Sequence, residues 1–516
     1  MGDSGIRYDA DALALDLGEA HPCPHCGTDF EVKKDESESQ LGFLGVAHLE
    51  DEIRCESCGH KLQDRFWSRL RLPRKQPTFM LTDLSSLVAD HRPLTHCNIQ
   101  RCEERAITVP QLRHLLDFVE RWHDRWYDVC PTSDTFKVPL QYSEITWHQL
   151  NDWVVRPATY DAKCSFVELI TKDPTQQQSG WFVSHWWGQP VLDVVRCVEE
   201  HSRLRGETQR FAYWICALAN RPYEHGGTVG SPVADREPGF VLAMRMSFGM
   251  LLVLDKGATP FTRLWCCYEI ACAKLGLHGK GPEAEVLDIA TVADGSPKVL
   301  TETLVKEEER MQAKYDSSQP TENSGWHLKA AREASFPVDV VQSGLQIDIG
   351  AANTGLASDR CRILNAIARK PCFALDKELD PNSPVHAKVS CALRAYFAVA
   401  LWRLAIEAQI DIEAPETKFN FSQVLKEDIG RSTLALSFAG LTKLRDCNVA
   451  AMARCLPETL QHLEIQFSSC VKINSVVPLA KCMRSLSSLR HLHLNFEGCK
   501  LLASMDKLAC GLRVLT

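Results

Sequence analysis

The residues with the most obvious chemical potential are Trp265 and Glu269, an indole and a carboxylate four positions apart in a segment whose pattern predicts a helix. Side chains four residues apart lie on one face of a helix, so the two groups are expected to project together. The helix follows an apolar run at 250–255 that is typical of a buried strand. Ligands of open α/β sheets bind where strands end and helices begin, which makes Glu269 the carboxylate most expected to belong to a site.

A second group of polar and aromatic residues ends another predicted strand, at 181–185. A hydroxyl and an imidazole there could hydrogen-bond a ligand, and indole rings could stack on a flat base or ring. The alternative is structural, because tryptophans at strand ends are usually core residues and a mid-helix glutamate is usually solvated or paired with Lys or Arg. The candidate ligand-binding residues are Ser184, His185, Trp186, Trp187 and Trp265.

Short apolar strands alternate with helical segments through this part of the chain. Such alternation predicts a parallel sheet with helices on both faces. The expected strands are 181–185, 211–218, 250–255 and 285–290, and the expected helices are 191–204, 240–247 and 261–275.

The segment 178–300 resembles a TIR (Toll/interleukin-1 receptor) domain through three short motifs. These are the strand Phe182-Val183-Ser184 followed by Gly188, a short helix with Ala243 and Ser247, and the signature Trp265-Cys266-x-x-Glu269. The resemblance implies a TIR/flavodoxin-like sheet and self-association through this domain. It also implies catalysis by Glu269, as in those TIR domains that cleave NAD⁺. The chain departs from the family in having His185-Trp186-Trp187 where Phe-Arg is usual, and in a longer loop at 220–239.

Cleavage of NAD⁺ would break the bond between nicotinamide and ribose through an oxocarbenium-like transition state. A carboxylate beside the ribose stabilises the developing charge or holds the sugar hydroxyls. Two interpretations stay open: the domain binds or cleaves NAD⁺ through Glu269, or the glutamate is inert and the domain serves protein–protein interaction. Cys266 and Cys267 have no acid–base partner beside them in the sequence and are interpreted as packing thiols.

Near the N-terminus, two Cys-x-x-Cys-Gly motifs are separated by 28 residues. Two thiolates at this spacing bind one Zn²⁺ from a tight turn, and two such turns complete a tetrahedral site. A site with four protein ligands has no open position, so its role is structural. The pattern resembles a zinc ribbon, and the alternative is a tail with four free thiols. The expected metal ligands are Cys23, Cys26, Cys55 and Cys58.

The C-terminal part of the chain is a repeat with a step of 29 residues. The pattern Leu434-x-Leu436-x-Phe438 recurs at 463–467 and at 492–496, with helical segments between. It resembles a leucine-rich repeat of the long, helix-containing kind, which implies a protein partner. A fourth unit begins at Leu512 and no polar cap follows, so the repeat is expected to be truncated. The candidate partner-binding positions, for which plain solvated strand faces are the alternative, are Glu464, Gln466, His491 and His493.

Composition sets the class of the protein. A net charge of −8 over 516 residues argues against a general nucleic-acid coat, which needs a basic face. The 22 cysteines are spread through apparent core segments, which is typical of buried thiols in a reducing compartment. The start of the chain lacks the features of a secretory signal, and the apolar run 240–254 contains Arg245 and is too short to span a membrane. We expect a soluble cytoplasmic protein, with a nuclear location also open.

Together these features predict a multidomain α/β protein for intracellular sensing or scaffolding. Within the expected extension, the segments 337–341 and 345–349 look like strands, whereas 360–369 and 387–408 look helical. The expected domains are a zinc ribbon (1–65), a mostly helical lead-in (66–177), the TIR-like domain (178–300), a charged helix and linker (301–325), an α/β extension (326–425) and the leucine-rich repeats (426–516).

Overall fold

The computed structural model describes most of the chain from residue 96 onwards, and a few short segments before it. The described residues are 20–22, 29–31, 87, 96–130, 133–206, 211–223, 239–275, 286–317, 324–354, 357–370, 375, 377, 379, 384–409, 421–428 and 431–512. The strands are β1 (Ala20–Pro22), β2 (Asp29–Glu31), β3 (Ile107–Thr108), β4 (Tyr127–Cys130), β5 (Ser133–Pro139), β6 (Ser179–Ser184), β7 (Ala212–Ile215), β8 (Gly249–Leu254), β9 (Val286–Ala293), β10 (Ser296–Leu300), β11 (Thr433–Ser437), β12 (His462–Gln466) and β13 (His491–Asn495).

Helices make up most of the remaining described structure. They are α1 (Val109–Trp122), α2 (Trp147–Leu150), α3 (Arg156–Thr159), α4 (Phe166–Ile170), α5 (Val191–Arg205), α6 (Cys216–Ala219), α7 (Gly239–Met246), α8 (Leu264–Leu275), α9 (Lys306–Asp316), α10 (Gly325–Glu333), α11 (Val338–Gln342), α12 (Ala357–Ile367), α13 (Val385–Glu407), α14 (Phe421–Glu427), α15 (Asp446–Cys455), α16 (Val477–Met483) and α17 (Asp506–Leu512). A π-helical turn, Asn151–Val155, joins α2 to α3.

A six-stranded sheet in the order β10-β9-β8-β6-β7-β3 forms the centre of the protein. The four central strands are parallel, and the edge strands β3 and β10 are antiparallel to their neighbours. Every residue of β6 and of β8 is buried, as expected of strands covered on both faces. The mixed α/β architecture with a largely parallel sheet, predicted from the alternation of strands and helices, is confirmed.

Two apolar clusters cover the two faces of this sheet. Phe182 of β6 belongs to the cluster that contains residues of α7 and α8, whereas its neighbours Trp181 and Val183 belong to the cluster that contains residues of α1 and α5. The alternation follows from the pleat of the strand, in which successive side chains point to opposite faces. Ser184, the last residue of β6, therefore points to the same face as Phe182, toward α8.

The helix predicted at 261–275 begins later than the pattern suggested. A 3₁₀ turn, Thr259–Thr262, precedes α8. Asp255, just after β8, accepts hydrogen bonds at 2.6 Å from both the backbone N–H and the hydroxyl of Thr259. These bonds satisfy backbone and side-chain donors of the tight turn, so α8 begins only at Leu264.

The expectation of strands at 337–341 and 345–349 is wrong. The first segment is α11 and the second begins in a 3₁₀ turn, Ser343–Gln346. Val340 and Val341 are adjacent and both buried, which an alternating half-exposed strand does not allow. Pro337 precedes the first helical turn, and tertiary packing against α13 outweighs the modest strand preference of the valines.

Helix α13 is the longest described element and lies in the protein core. Among the described helices it alone has the length and apolar composition to cross a membrane, and 67% of its most apolar window is buried inside the protein. The ring centroid of Phe397 lies 4.7 Å from that of Phe261, in the 3₁₀ turn that precedes α8. This helix therefore packs against the part of the sheet domain that leads into α8.

The C-terminal strands form a separate three-stranded parallel sheet in the order β11-β12-β13. Partners in adjacent strands are 29 residues apart, as in the pairs Leu434–Leu463 and Leu463–Leu492, and a helix follows each strand. The phenylalanines that end each unit, Phe438, Phe467 and Phe496, stack with ring centroids 5.7 and 5.0 Å apart. The sequence period is therefore a structural period of strand and helix.

A buried arginine connects this repeat to α13. Arg403 donates hydrogen bonds of 3.0 Å to the backbone carbonyls of Ser437, which ends β11, and of Ala439, two residues later. Gly440 has a φ of +76° and its Cα lies against the backbone of His327, so a side chain there would be strained and would clash. The repeat is therefore held against α10 and α13 by specific backbone contacts.

Glu168 is a completely buried carboxylate of α4. It connects the lead-in to Arg221, in the loop that follows α6. It receives hydrogen bonds from Arg221 at 2.5 and 2.8 Å and from the backbone N–H groups of Ser165 and Ile99. Burial alone would raise the pKa of Glu168, but these hydrogen bonds and the nearby charge of Arg105 lower it from 4.5 to about 2. The ionised carboxylate therefore stabilises the fold above the unfolded-state pKa.

We expect Glu168→Gln to lower the free energy of unfolding by about 3 kcal/mol at pH 7. A depressed pKa gives stability that is present above pH 4.5 and is lost as the pH falls toward 2, so the difference from wild type should shrink over that window. Urea unfolding at pH 7, 4 and 3 measures this. The exposed Glu120→Gln should show no such difference, and a gap that stays constant with pH would contradict the role of the charge.

Candidate functional site

The site is formed where β6 ends beneath helix α8. Ser184 is buried, and its hydroxyl donates a hydrogen bond of 2.6 Å to Oε2 of Glu269. Glu269 is half-buried and lies in the second turn of α8. The structure therefore brings together two residues that are 85 positions apart, at the carboxyl end of a central parallel strand, where open α/β sheets bind ligands.

The carboxyl group of Glu269 binds its proton more tightly than an ordinary glutamate does. Burial raises the pKa of Glu269 from 4.5 to about 7, and the hydrogen bond from Ser184 acts in the opposite direction. Around neutral pH the group therefore exchanges between its neutral and ionised forms. Perturbed carboxyl groups of this kind cluster at functional sites because acid–base and charge-stabilising roles need them.

Cys216 is a third member of the site, and sequence reasoning missed it. It directly follows β7, and its sulfur accepts a hydrogen bond of 3.1 Å from Nε1 of Trp187. Burial, with a smaller contribution from the negative charge of Glu269, raises the pKa of Cys216 to about 12. The thiol is therefore neutral beside the carboxyl. The available signal was its position at the end of a strand, the same rule that identified Ser184.

Trp187 and Trp186 differ in what they contact. The indole of Trp187 is half-buried and reaches the site through Cys216, with its ring centroid 5.7 Å from that of His148. The ring of Trp186 folds back over Gly188, where a Cβ would lie within 2.6 Å of three ring atoms. Only a glycine fits at that turn. Trp187 is therefore the tryptophan of this pair that is linked to the Glu269 site.

The ring of His185 lies on the other side of the sheet from Glu269. It follows Ser184 by one residue, so it points the opposite way, and its ring centroid is 4.8 Å from that of Trp147. Burial lowers the pKa of His185 to about 4, so the imidazole is neutral at physiological pH. The main chain of His185 contributes instead, because its carbonyl accepts a 3.7 Å hydrogen bond from the thiol of Cys266.

Trp265 lies one helical turn before Glu269, as the spacing predicted. Its half-buried ring packs edge-on against Phe240 of α7, with centroids 5.6 Å apart. The neighbouring Cys266 and Cys267 are buried, and burial raises the pKa of both thiols, that of Cys267 to about 12. A thiol held in its protonated form is a poor nucleophile, which agrees with their interpretation as packing residues.

The predicted metal ligands Cys23, Cys26, Cys55 and Cys58 lie outside the described residues. Strands β1 and β2, which flank the first Cys-x-x-Cys motif, pair as an antiparallel hairpin with His21 opposite Phe30. Elsewhere in the described part of the chain, no three His, Cys, Asp or Glu side chains converge as a metal site.

The repeat presents its polar side chains on one exposed strand face. His462 and His491 occupy opposite positions of neighbouring strands and stack with ring centroids 4.3 Å apart. Glu464 and His493 are the next exposed pair, and Glu464 accepts a hydrogen bond of 2.7 Å from Gln466. The predicted recognition residues therefore share one surface.

Comparison with known proteins adds no relative: no family model, no curated protein and no solved structure matches the chain.

Proposed function

We propose that the central sheet domain is TIR-like and cleaves the nicotinamide–ribose bond of NAD⁺ with Glu269, within a sensing or scaffolding protein. The observation that carries the proposal is the half-buried carboxyl of Glu269, with a pKa of about 7, held by Ser184 at the carboxyl end of β6. The strand order supports it. If β6, β7, β8 and β9 are numbered 1 to 4 in chain order, they lie side by side in the order 2-1-3-4, which is the order of flavodoxin-like sheets. The strand order therefore reverses between β6 and β8, which is where such sheets bind ligands.

The reaction needs few groups. Nicotinamide leaves as a neutral molecule with the electrons of the N-glycosidic bond, and water adds to the ribose carbon and loses a proton. The ionised carboxylate of Glu269 would stabilise the positive charge that develops on the ribose, or hold its hydroxyls. Ser184 fixes the carboxylate in one orientation. Trp265, one helical turn before Glu269, would supply aromatic surface for the flat rings of the substrate.

Incubation of the purified full chain with NAD⁺ tests the proposal, with nicotinamide measured by chromatography. Release that depends on Glu269 supports it. Absence of release from a high concentration of folded protein would reject the enzymatic function and leave the binding function described next.

A second candidate function, a non-enzymatic scaffold, is favoured by the exposed strand face of the repeat. We infer that β11–β13 belong to a leucine-rich repeat and that His491, His493, Glu464 and Gln466 contact a protein partner. In that case the TIR-like domain serves self-association, and Glu269 is inert. Size measurement by light scattering separates the two functions, because the scaffold predicts oligomers without nicotinamide release.

The N-terminal motifs support a further part of this proposal, a structural zinc ribbon. Cys23, Cys26, Cys55 and Cys58 would hold Zn²⁺ as four thiolates, and in the sequence the first pair lies between the paired strands β1 and β2. A closed four-thiolate site supplies folding energy and no chemistry.

We expect about one zinc ion per chain in the purified protein, and loss of most of it in Cys55→Ser. A tetrahedral four-cysteine site tolerates the removal of one thiolate poorly, so the zinc content should fall well below that of wild type. Elemental analysis by mass spectrometry measures it. Cys447→Ser, an exposed cysteine in the repeat, is the matched control and should keep its metal. Equal zinc content in both variants would contradict the ribbon.

A further inference from the structure

A groove of about 810 Å³ lies on the helical side of the repeat sheet, away from Glu269 and from the exposed strand face. It is bounded by the end of α14, by α15 with the loop that follows it, and by α16. Its volume falls within the range of about 300–1,000 Å³ that is typical of ligand sites. The groove is therefore large enough to receive side chains of a partner.

The floor of the groove is apolar and owes its depth to small residues. Ala450 and Ala453 lie on α15 where a longer side chain would fill the space, and Leu456 and Pro457 continue the floor into the next loop. Ala453, Leu456 and Pro457 are buried and Ala450 is half-buried. An apolar side chain inserted here would lose its water-exposed surface, which is the main source of favourable free energy in recognition.

The rim of the groove carries mostly positive charge. Lys426, Arg454 and Lys481 are exposed and come from three different helices, α14, α15 and α16. Glu458 is the acidic residue among the residues that line the groove. Three cations and one carboxylate around an apolar floor complement a segment in which carboxylates flank an apolar side chain.

We propose that this groove binds an acidic amphipathic segment of a partner protein. Leucine-like side chains of the segment would contact the alanine floor, and its carboxylates would pair with Lys426, Arg454 and Lys481. A nucleic acid fits less well because its backbone offers phosphates without apolar side chains and because Glu458 repels it. This surface is separate from the strand face of the repeat, and the proposal does not depend on catalysis by Glu269.

Fluorescence anisotropy of the full chain with three labelled peptides of 14 residues, a probe length of about four helical turns, tests the proposal. The first contains only Glu and Leu, with Leu at helical i, i+3 and i+4 spacing. The second has Lys in place of Glu, and the third has Ser in place of Leu. We expect saturable binding of the first peptide, and binding of the other two that is weaker by about tenfold or more.

Matched variants locate the binding site. Lys426→Glu with Lys481→Glu should weaken the acidic peptide by about tenfold or more, whereas Lys472→Glu with Lys500→Glu makes the same change of charge on exposed positions outside the groove and should leave affinity within about twofold. Ala450→Trp should also weaken binding, because it fills the groove. Equal loss in both double variants, equal binding of the Ser peptide, or no saturable binding to wild type would overturn the proposal. Glu269→Gln should bind as wild type.

Discussion

Nicotinamide release from NAD⁺ is expected to fall by about 10²–10³-fold when Glu269 is replaced by Gln. The amide keeps the size of the carboxyl group and can still accept the hydrogen bond of Ser184, so the geometry of α8 and β6 is retained. What is lost is the negative charge that, in the proposed reaction, would face the positive charge developing on the ribose. Steady-state rates at saturating and at low NAD⁺ measure the loss, which should fall mainly on kcat because the charge matters most in the transition state.

The pH profile gives an independent test of the same group. Burial raises the pKa of Glu269 to about 7, and only the ionised form can stabilise the positive charge. The rate of wild type should therefore rise as the pH increases through about 7, and it should level off above pH 8. The residual rate of Glu269→Gln should not show this rise. A flat profile in wild type would contradict the assignment of the carboxylate.

Two variants serve as controls for this result. Ser184→Ala removes the hydrogen bond that orients the carboxyl and opposes the rise of its pKa, so the rise in rate should move to higher pH with a smaller loss of activity. Glu302→Gln changes a partly exposed carboxylate that pairs at 2.8 Å with Lys274 of α8, and it should leave nicotinamide release unchanged. If Glu302→Gln lost activity equally, the effect of Glu269→Gln would reflect general disturbance of the domain.

The stability of Glu269→Gln at two pH values shows whether this variant is folded. A carboxyl whose pKa is raised on folding destabilises the native state at a pH above its unfolded value of 4.5, and the cost is complete above about 7. Glu269→Gln removes this cost, so the variant should be at least as stable as wild type at pH 8 and no more stable at pH 4. Loss of activity with retained stability is the combination typical of a functional residue.

The four parallel strands of the central sheet could be predicted from their apolar sequences, although the second ends at Ile215 and not at 218, and the edge strands β3 and β10 were not predicted. Runs such as β8, buried at every position, fit only a strand covered on both faces, and Ser184 and Glu269 were identified from the rule that sites lie at strand ends. The face of the sheet to which each side chain points was harder to predict. A shift of one residue along a strand reverses the face, which is why His185 contacts Trp147 rather than the site.

The extension could not be predicted with the same success, since its secondary structure depends on packing. The valines at 338–341 favour a strand by intrinsic preference, but α11 fits against α13 as a helix. The repeat shows the opposite case, because a step of 29 residues constrains register, and the observed pairs Leu434–Leu463 and Leu463–Leu492 follow directly from it. The intrinsic secondary-structure preference of the residues is therefore a poor guide where neither a sequence repeat nor full burial of the segment supports it.

Replacing Asp288 by Asn is expected to destabilise the sheet domain by about 3–5 kcal/mol. Asp288 is completely buried in β9, where Arg205 binds both of its oxygens at 2.6 and 2.7 Å and His201 contacts it at 2.9 Å. The amide cannot neutralise the guanidinium, and one of its N–H groups would face a donor. The guanidinium of Arg205 is half-buried, and without its counter-charge it carries an uncompensated desolvation cost.

Urea unfolding followed by tryptophan fluorescence measures this loss, and Trp181, whose ring lies 4.4 Å from that of His201, is one of the 12 tryptophans that contribute to the signal. Asp294→Asn is the matched control: it makes the same chemical change in the exposed β9–β10 turn, where a φ of +51° suits Asn as well as Asp. It should change the free energy of unfolding by less than about 0.5 kcal/mol. Substituting Arg205 by Met in addition to Asp288→Asn should recover part of the loss, because the uncompensated charge is then gone. Additive losses in the double variant would show instead that the aspartate acts through its hydrogen bonds to His201 and the backbone rather than through its charge.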